Sequence, residues 1–364
     1  MSSPKTILTV LGTRPEIVKF SPLLPEFDRH YRHVLVHTGQ HYDENMDRIF
    51  FRELKLRMPR HFLNVGSGSQ GAQTGRMLER LEPLMAKHKP DCVMVLGDTN
   101  STLAGGLVAA KLHVPIAHVE SGCRSFNMRM PEEVNRVMVD HVSEWLFAPD
   151  AQAVRQLKDE GVSARKIHLV GNTGLDATRR IMGMISPQRL RKFNVKPEQY
   201  AMVTLHRAEN TDDPKRFAGL IDALNQISKT IPLLFPVHPR TRGALKRHGL
   251  KLDRRIRELP ALGSLDFIAL LKHSIFVMSD SGGIQEEAAV VNKPCLVLRE
   301  ETEWMRLVEA GKNLLVGTHP RAIVSAARRL ASSSALRREI ARKKAPLSFG
   351  ATKRIMQILR ARKA

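Results

Sequence analysis

Cysteine is scarce in this chain of 364 residues: only Cys92, Cys123 and Cys295 occur. An odd set without metal-ligand spacing argues against a disulfide scaffold and against a zinc module. Cys92 and Cys295 fall in strand-like apolar runs and read as buried thiols, so a reduced, cytoplasmic setting is expected. No grouping of His, Cys and Asp has the spacing of a metal site, and Gly-x-Gly-x-x-Gly is absent; neither a metal nor a dinucleotide cofactor is expected. No apolar run approaches the ~18 residues that suggest a membrane span. The start, Met1-Ser2-Ser3-Pro4-Lys5, enters a strand-like segment without the apolar stretch of a signal peptide. Aromatic residues are 5% of the chain, too sparse for an RNA-binding motif that interleaves them with basic residues. Acidic residues are also few, 36 against 58 Lys and Arg, for a net charge of +22. The basic residues are spread over most helical segments and are densest from Arg337 to Lys363. That pattern reads as solvated surface with a general attraction for anions. An anionic small-molecule substrate is expected, and specific nucleic-acid binding is not.

What is present is a β-then-α grammar. At ~150 residues per domain the length suggests about two domains, and 42% hydrophobic residues can fill both cores. Strands are expected at residues 6–11, 33–36, 92–96, 114–119, 145–148 and 167–170, with helices at 17–27, 73–88 and 101–112. The pattern repeats: strands at 201–205, 232–236, 275–278 and 295–298, with helices at 213–228, 265–272 and 284–291. Such alternation predicts α/β architecture with parallel sheets covered on both faces. Turn residues Gly171-Asn172-Thr173-Gly174 suggest a hinge. The expected layout is two Rossmann-like domains facing across a cleft: residues 1–171, with a basic helix at 351–362 packing back on them, and residues 172–350.

Ionisable residues stand where the apolar runs end: Asp98 after Leu96-Gly97, Glu120 after His118-Val119, and His206 after Leu205. In an open parallel sheet, ligands bind beyond the carboxyl ends of the strands. Asp98, Glu120 and Glu132 are therefore candidate proton-transfer groups, although Asp98 could instead cap a helix starting near Ser101. His206 and His238 end two strands of the second domain and point to a polar crevice. Asp280-Ser281-Gly282-Gly283 joins a strand to a helix, where two glycines would let a phosphate reach unsatisfied backbone N–H groups. An ordinary strand-to-helix turn would favour the same glycines. Glu286 and Glu287 follow in the first helical turn, where a carboxylate could grip the two hydroxyls of a ribose. At the first strand's exit, Arg14 and Lys19 would place positive charge over a diphosphate or leaving group.

Five blocks occur in order: Gly12-Thr13-Arg14-Pro15-Glu16, Gly97-Asp98-Thr99-Asn100, His118-Val119-Glu120-Ser121-Gly122, Pro131-Glu132-Glu133-Val134-Asn135-Arg136 and Asp280-Ser281-Gly282-Gly283-Ile284-Gln285-Glu286-Glu287. Together they resemble the non-hydrolysing UDP-N-acetylglucosamine 2-epimerases, over nearly the whole chain. The resemblance implies a GT-B fold and inversion at a carbon not adjacent to a carbonyl. A base would remove the C2 proton while UDP leaves C1, giving a 2-acetamidoglucal to which UDP adds back after protonation from the other face. By position, Asp98, Glu120 and Glu132 match the family's acid/base carboxylates and His206 its catalytic histidine. Arg14, Lys19, Arg136 and His238 match substrate contacts. Ser281, Gly282 and Gly283 match the diphosphate loop, Glu287 the ribose ligand and Phe267 the uracil platform. The resemblance leaves open which carboxylate is base; Glu120 is our choice. Gln40, Gln73, Arg207 and Glu209, with His238, match a site at which some bacterial members bind a second UDP-sugar as activator. A homodimer is implied as well.

Two departures bear on the substrate. Many family members carry Thr-Glu-Arg-Pro-Glu where this chain has Thr302-Glu303-Trp304-Met305-Arg306, so the family's arginine is Trp304, with Arg306 nearby. Relatives with Thr-Glu-Trp act on modified UDP-sugars, which makes a 2,3-diacetamido-glucuronate an alternative substrate. Ser121-Gly122-Cys123 replaces the usual Ala-Gly, leaving Cys123 at or behind the site without an evident chemical role. Gly97-Asp98-Thr99 in place of Gly-Asp-Arg argues against the hydrolysing branch. The rival in another reaction class is a GT-B glycosyltransferase, which would share the UDP loop but require an acceptor.

Overall fold

The computed structural model describes residues 5–40 and 44–361; Arg362, which ends the expected basic helix, lies outside the described residues. The chain divides into two compact units, Met1–Arg180 with Ser348–Ala364, and Ile181–Leu347.

In the first unit a seven-stranded sheet has the order β3-β2-β1-β4-β5-β6-β7. Its strands are β1 (Thr6–Leu11), β2 (Arg32–His37), β3 (His61–Phe62), β4 (Cys92–Leu96), β5 (Ile116–Val119), β6 (Trp145–Ala148) and β7 (Ile167–Leu169). Every pairing is parallel. A parallel sheet is covered on both faces, so its inner strands are apolar throughout rather than alternating; β4 and β5 are buried at every residue. The helix Asn100–Lys111 lies close on this sheet because Gly105 has no side chain. A Cβ there would stand 3.0 Å from Val95 Cγ1 and 3.2 Å from Val10 Cβ. The strand order reverses between β1 and β4, which opens a crevice beyond their carboxyl ends.

The second unit repeats the plan in a six-stranded sheet of order β10-β9-β8-β11-β12-β13. The strands are β8 (Ala201–Thr204), β9 (Leu233–Pro236), β10 (Ile256–Leu259), β11 (Val277–Ser279), β12 (Cys295–Val297) and β13 (Asn313–Leu315), again all parallel. Its reversal falls between β8 and β11. The core joins Val203, Phe235 and Met278 of the sheet to Phe217, Leu224 and Leu330 of the covering helices.

Three strands, β3, β10 and β13, were not expected, and the single helix expected at 17–27 is two, Arg14–Phe20 and Leu24–His30. Pro22 cannot donate an intrahelical bond, so the first helix ends before it; Pro25 falls in the opening turn of the second, where no donor is needed. Gly171-Asn172-Thr173-Gly174 opens the helix Thr173–Met182, with Asn172 Oδ1 accepting from the Gly174 N–H at 2.7 Å. Gly171 has φ +95°, and a Cβ on it would sit 2.7 Å from the Ser348 carbonyl oxygen. That contact lies beside the returning helix Ala351–Ala361. Asp176 tethers the helix by accepting from the N–H groups of Gly350 and Thr352 at 2.7 and 2.8 Å. Among the described residues no helix is long and apolar enough to cross a membrane, and no group of three or more His, Cys, Asp or Glu is placed to hold a metal ion.

Candidate active site

Beyond the carboxyl ends of β1, β4 and β5 lies a cavity of 330 Å³ whose lining includes Lys19, Gln40, Gln73, Asp98, Glu120 and Glu132. Asp98 is delivered by Gly97, whose φ of 72° turns the chain out of β4. Asp98 does not cap the next helix. Thr99 does, its Oγ1 accepting from the Thr102 N–H at 3.2 Å, while the Asp98 carboxylate is ion-paired with Arg136. Arg136 is aimed by Glu133, 2.7 Å away. Burial would raise the Glu133 carboxyl, but N–H donors from Ser125 and Phe126 and the Arg136 guanidinium outweigh it and hold it below the usual carboxylate range.

Glu120 follows β5 in a left-handed backbone conformation, φ 66°, uncommon for a residue with a side chain. Its Oε2 meets Lys19 Nζ at 2.6 Å, while its Oε1 is buried without a hydrogen-bond partner among the described residues. Glu132 opens the helix Pro131–Val142; it is exposed and makes no ion pair among the described residues. Four carboxylates line the pocket: Asp98 and Glu120 are paired with cations, Glu132 is exposed, and Glu16 is hydrogen-bonded within the wall.

The wall is pinned from behind. Glu16, 2% exposed, accepts from the N–H groups of Gly12 and Thr13 and from the hydroxyls of Thr13, Thr99 and Thr102, joining the turns after β1 and β4. Burial raises its carboxyl, against those donors. Gln73 donates to the Gly66 carbonyl at 2.7 Å and accepts from Asn100, and Gln40 Oε1 accepts from the Ser101 N–H at 3.1 Å. Arg14 stands apart. It is absent from the pocket lining and turns towards Asp47, 3.6 Å from Nε. Cys123 is half-buried, and burial together with nearby Glu120 and Asp150 pushes its thiol up to about 12, so it is inert as a nucleophile.

In the second unit the reversal between β8 and β11 is organised by Asp280, which is fully buried. Its carboxylate accepts from the N–H groups of His206 (3.0 Å) and Arg207 (2.8 Å) and from Asn210 Nδ2 (3.2 Å). His206 Nδ1 lies 3.7 Å from Asp280 Oδ1, and its ring is 5.3 Å from that of His238. His238 caps the helix Pro239–Arg247 by accepting from the Arg240 N–H. Burial, with His206 and Arg240 beside it, lowers its affinity for a proton.

Ser281 precedes the helix Gly282–Val290 but makes no side-chain cap bond. Nothing stands within 4 Å of a Cβ on Gly283 except Ser281 Oγ at 4.0 Å, so its backbone is open to a ligand. Over Gly282 stands Trp304, whose Nε1 would be 2.9 Å from an added Cβ. Arg306 does not take the place of the family's arginine freely: it lies 4.7 Å from the Trp304 ring and 3.6 Å from Glu286. Arg207 and Glu209 join Arg299 and Glu303, with Arg299 bridging Glu209 at 2.8 Å and Glu303 at 2.7 Å. Glu287 and Phe267 are half-buried on the helices Gly282–Val290 and Ser264–His273. Sequence reasoning missed Asp280 and Arg299 as organisers. Asp280 stood within a quoted block; nothing local marked Arg299.

A family model described as UDP-N-acetylglucosamine 2-epimerase matches residues 26–360. The chain belongs to the UDP-N-acetylglucosamine 2-epimerase family. It is 46% identical over 335 residues to the UDP-N-acetylglucosamine 2-epimerase of Methanococcus maripaludis, covering 89% of this chain and 91% of that one. It is also 46% identical over 328 residues to the UDP-2,3-diacetamido-2,3-dideoxy-D-glucuronate 2-epimerase of Pseudomonas aeruginosa, with 88% and 91% covered. Among solved structures, that of the Methanocaldococcus jannaschii UDP-GlcNAc 2-epimerase in complex with UDP-GlcNAc and UDP is similar with a TM-score of 0.82 and 40% identity, covering 97% of this chain and 98% of that one. This family membership places the two Rossmann-like units in the GT-B class.

Proposed function

We propose that the protein epimerises UDP-N-acetylglucosamine at C2 to UDP-N-acetylmannosamine, for use in surface polysaccharide synthesis. The observation that carries this reading is the 330 Å³ pocket in which Asp98, Glu120 and Glu132 meet while two of the three are held by Arg136 and Lys19. Ser281, Gly282 and Gly283 take the diphosphate on the helix's N-terminal N–H groups, with Glu287 on the ribose, Phe267 on the uracil and His206 and His238 beside the phosphates. Glu120 takes the C2 proton. The C–H electron pair becomes the C1–C2 double bond, and the C1–O pair leaves with UDP. Glu132 or Asp98, carrying a proton at the start of the turnover, gives it to the opposite face of C2 as UDP re-adds at C1; Glu120 then releases its proton to water and the donor regains one, which restores the starting charges. No metal or cofactor is required. Arg14 and Lys19 sit at the exit of β1, Lys19 within ion-pair reach of the base.

A modified UDP-sugar is the second reading. It is favoured by Trp304 over the double-glycine turn and by equal identity to relatives named for the two substrates. Gln40 and Gln73 on the first unit and Arg207, Glu209 and His238 on the second are the residues proposed to contact a second UDP-sugar as activator. Exposed Phe126, Met128, Met130 and Met138 support a homodimer, and a cytoplasmic enzyme fits the buried thiols Cys92 and Cys295.

Incubation with UDP-N-acetylglucosamine in deuterated water tests the reaction. Deuterium at C2 of recovered UDP-sugar, with no acceptor added, is expected. Release of UDP that depends on an acceptor, without exchange, would make the protein a GT-B glycosyltransferase. A diacetamido-glucuronate donor turned over at higher kcat/KM would assign the second substrate.

A further inference from the structure

Behind the two turns that carry Asp98 and Glu120 lies a chain of polar side chains, itself outside the pocket lining, that meets the lining at the Gly97 carbonyl. His118, on β5, and Asp140, on the helix Pro131–Val142, have side chains with no solvent exposure. His118 Nδ1 meets Asp140 Oδ1 at 2.7 Å, and His118 Nε2 meets the Gly97 carbonyl oxygen at 2.7 Å. Both ring nitrogens therefore face oxygen atoms, one of a carboxylate and one of the backbone. Asp140 Oδ2 accepts from the Gly122 N–H at 3.0 Å and pairs with Arg124 Nη2 at 2.7 Å. Burial would raise the Asp140 carboxyl, but His118, Arg124 and Gly122 outweigh it and hold it below the usual range. Arg124 is in turn clasped by both oxygens of Glu160.

A buried ion pair is weak support for stability, since well-packed apolar residues of the same volume often do as well or better. This one is connected to two particular backbone groups: the carbonyl immediately before Asp98 and the N–H two residues after Glu120. Both turns are left-handed, with φ of 72° at Gly97, 66° at Glu120 and 78° at Gly122. Glycine adopts such φ freely, so of the three it is Glu120 whose backbone needs surrounding contacts to hold it.

We propose that His118 and Asp140 are positioning residues that set the separation of the Asp98 and Glu120 carboxylates across the pocket. The inference rests on the epimerase reading of that pocket. With the pair loosened, proton removal from C2 and proton return to it fall out of balance, and the unsaturated sugar intermediate escapes before UDP rejoins it. A misplacement of ~1 Å can cost on the order of a hundredfold in rate.

The test compares wild type, His118→Gln, His118→Leu and Asp140→Asn in deuterated water with UDP-N-acetylglucosamine. Glutamine keeps a donor for the Gly97 carbonyl and leucine keeps only bulk. The readout is the ratio of free unsaturated sugar released to epimer formed, which does not depend on the fraction of enzyme folded. The expected result is a ratio raised about fivefold or more by leucine and by Asp140→Asn, less by glutamine, with KM within about threefold of wild type. If wild type introduces deuterium and all three variants keep its ratio, the positioning role is overturned and the epimerase reading stands. If wild type introduces no deuterium, both fall together.

Discussion

Glu120 shows how one residue can be legible in sequence for its chemistry and illegible for its setting. A carboxylate at the end of an apolar run marked it, as it marked Asp98. Its left-handed φ of 66° had no signal, because nothing in His118-Val119-Glu120 demands it. The contacts that hold it come from Lys19, 101 residues earlier in the chain, and from the Phe147 carbonyl, which accepts its N–H at 3.1 Å. The same applies to Asp140, whose partners His118, Gly122 and Arg124 lie outside its helix, and in part to Glu133 and Arg299, which add Ser125 and Phe126, and Glu209, to partners near them in sequence. Arg14 shows the reverse. It was prominent in its block, yet it points to Asp47 rather than into the pocket. Glu120→Gln keeps the shape and removes the base, so turnover should fall by ~10²–10⁴. UDP affinity, measured by calorimetry, should stay within about twofold, because the proposed UDP contacts are on the second unit. Turnover near wild type would remove Glu120 from the mechanism.

Elements were legible where they are long or fully buried. β1, β4 and β6 lie where their apolar runs fall, because a strand covered on both faces leaves a continuous apolar signature. The strands missed are at sheet edges or short: β3 has two residues, and β10 exposes its central Arg257 and Glu258. The close seat of Asn100–Lys111 on the sheet rests on Gly105. Gly105→Ala should therefore cost ~1–3 kcal/mol by overpacking against Val95 and Val10, read as a lower urea midpoint with an unchanged slope. A second join ties the helix Leu24–His30 to β2 and to the turn before β3. Asp28 meets His33 Nδ1 at 2.6 Å and Arg57 Nη2 at 2.7 Å. Burial would raise the Asp28 carboxyl, but these partners bring it from 3.8 down to about 2. A depressed carboxyl contributes stability above its unfolded value and loses it as pH falls through the folded one. Asp28→Asn should thus be less stable by about 1 kcal/mol at neutral pH, a figure kept small because the group is partly exposed. The gap should close as the pH falls from about 4 towards about 2. A gap that persists at pH 2 would assign the loss to packing instead.

At the scale of the whole molecule, alternation of strand and helix was enough to expect two parallel-sheet units. What it did not supply was the strand order. Both sheets reverse after their third strand, which sets the switch points beside the first, at β1–β4 and at β8–β11, and Asp98, His206 and Ser281 stand beyond those two switch points. The excess of 58 Lys and Arg over 36 Asp and Glu was also plain from the sequence. It is not confined to those reversals. Arg321, Arg328 and Arg329 line a separate groove of 820 Å³ on the second unit, between the helices Pro214–Ser228 and Pro320–Ser332. A net charge of +22 must draw a dianionic nucleotide sugar towards the protein as a whole. That long-range pull is screened over ~8 Å at 0.15 M salt, whereas the short ion pairs Lys19–Glu120 and Arg136–Asp98 in the pocket feel salt far less. The two contributions separate in kinetics. Raising salt from about 0.02 to about 0.5 M should increase KM for the UDP-sugar several-fold and leave kcat within about twofold. A KM indifferent to salt would mean that the excess charge is solvated surface with no part in capture. A kcat that falls while KM rises would mean that screening reaches the carboxylates themselves.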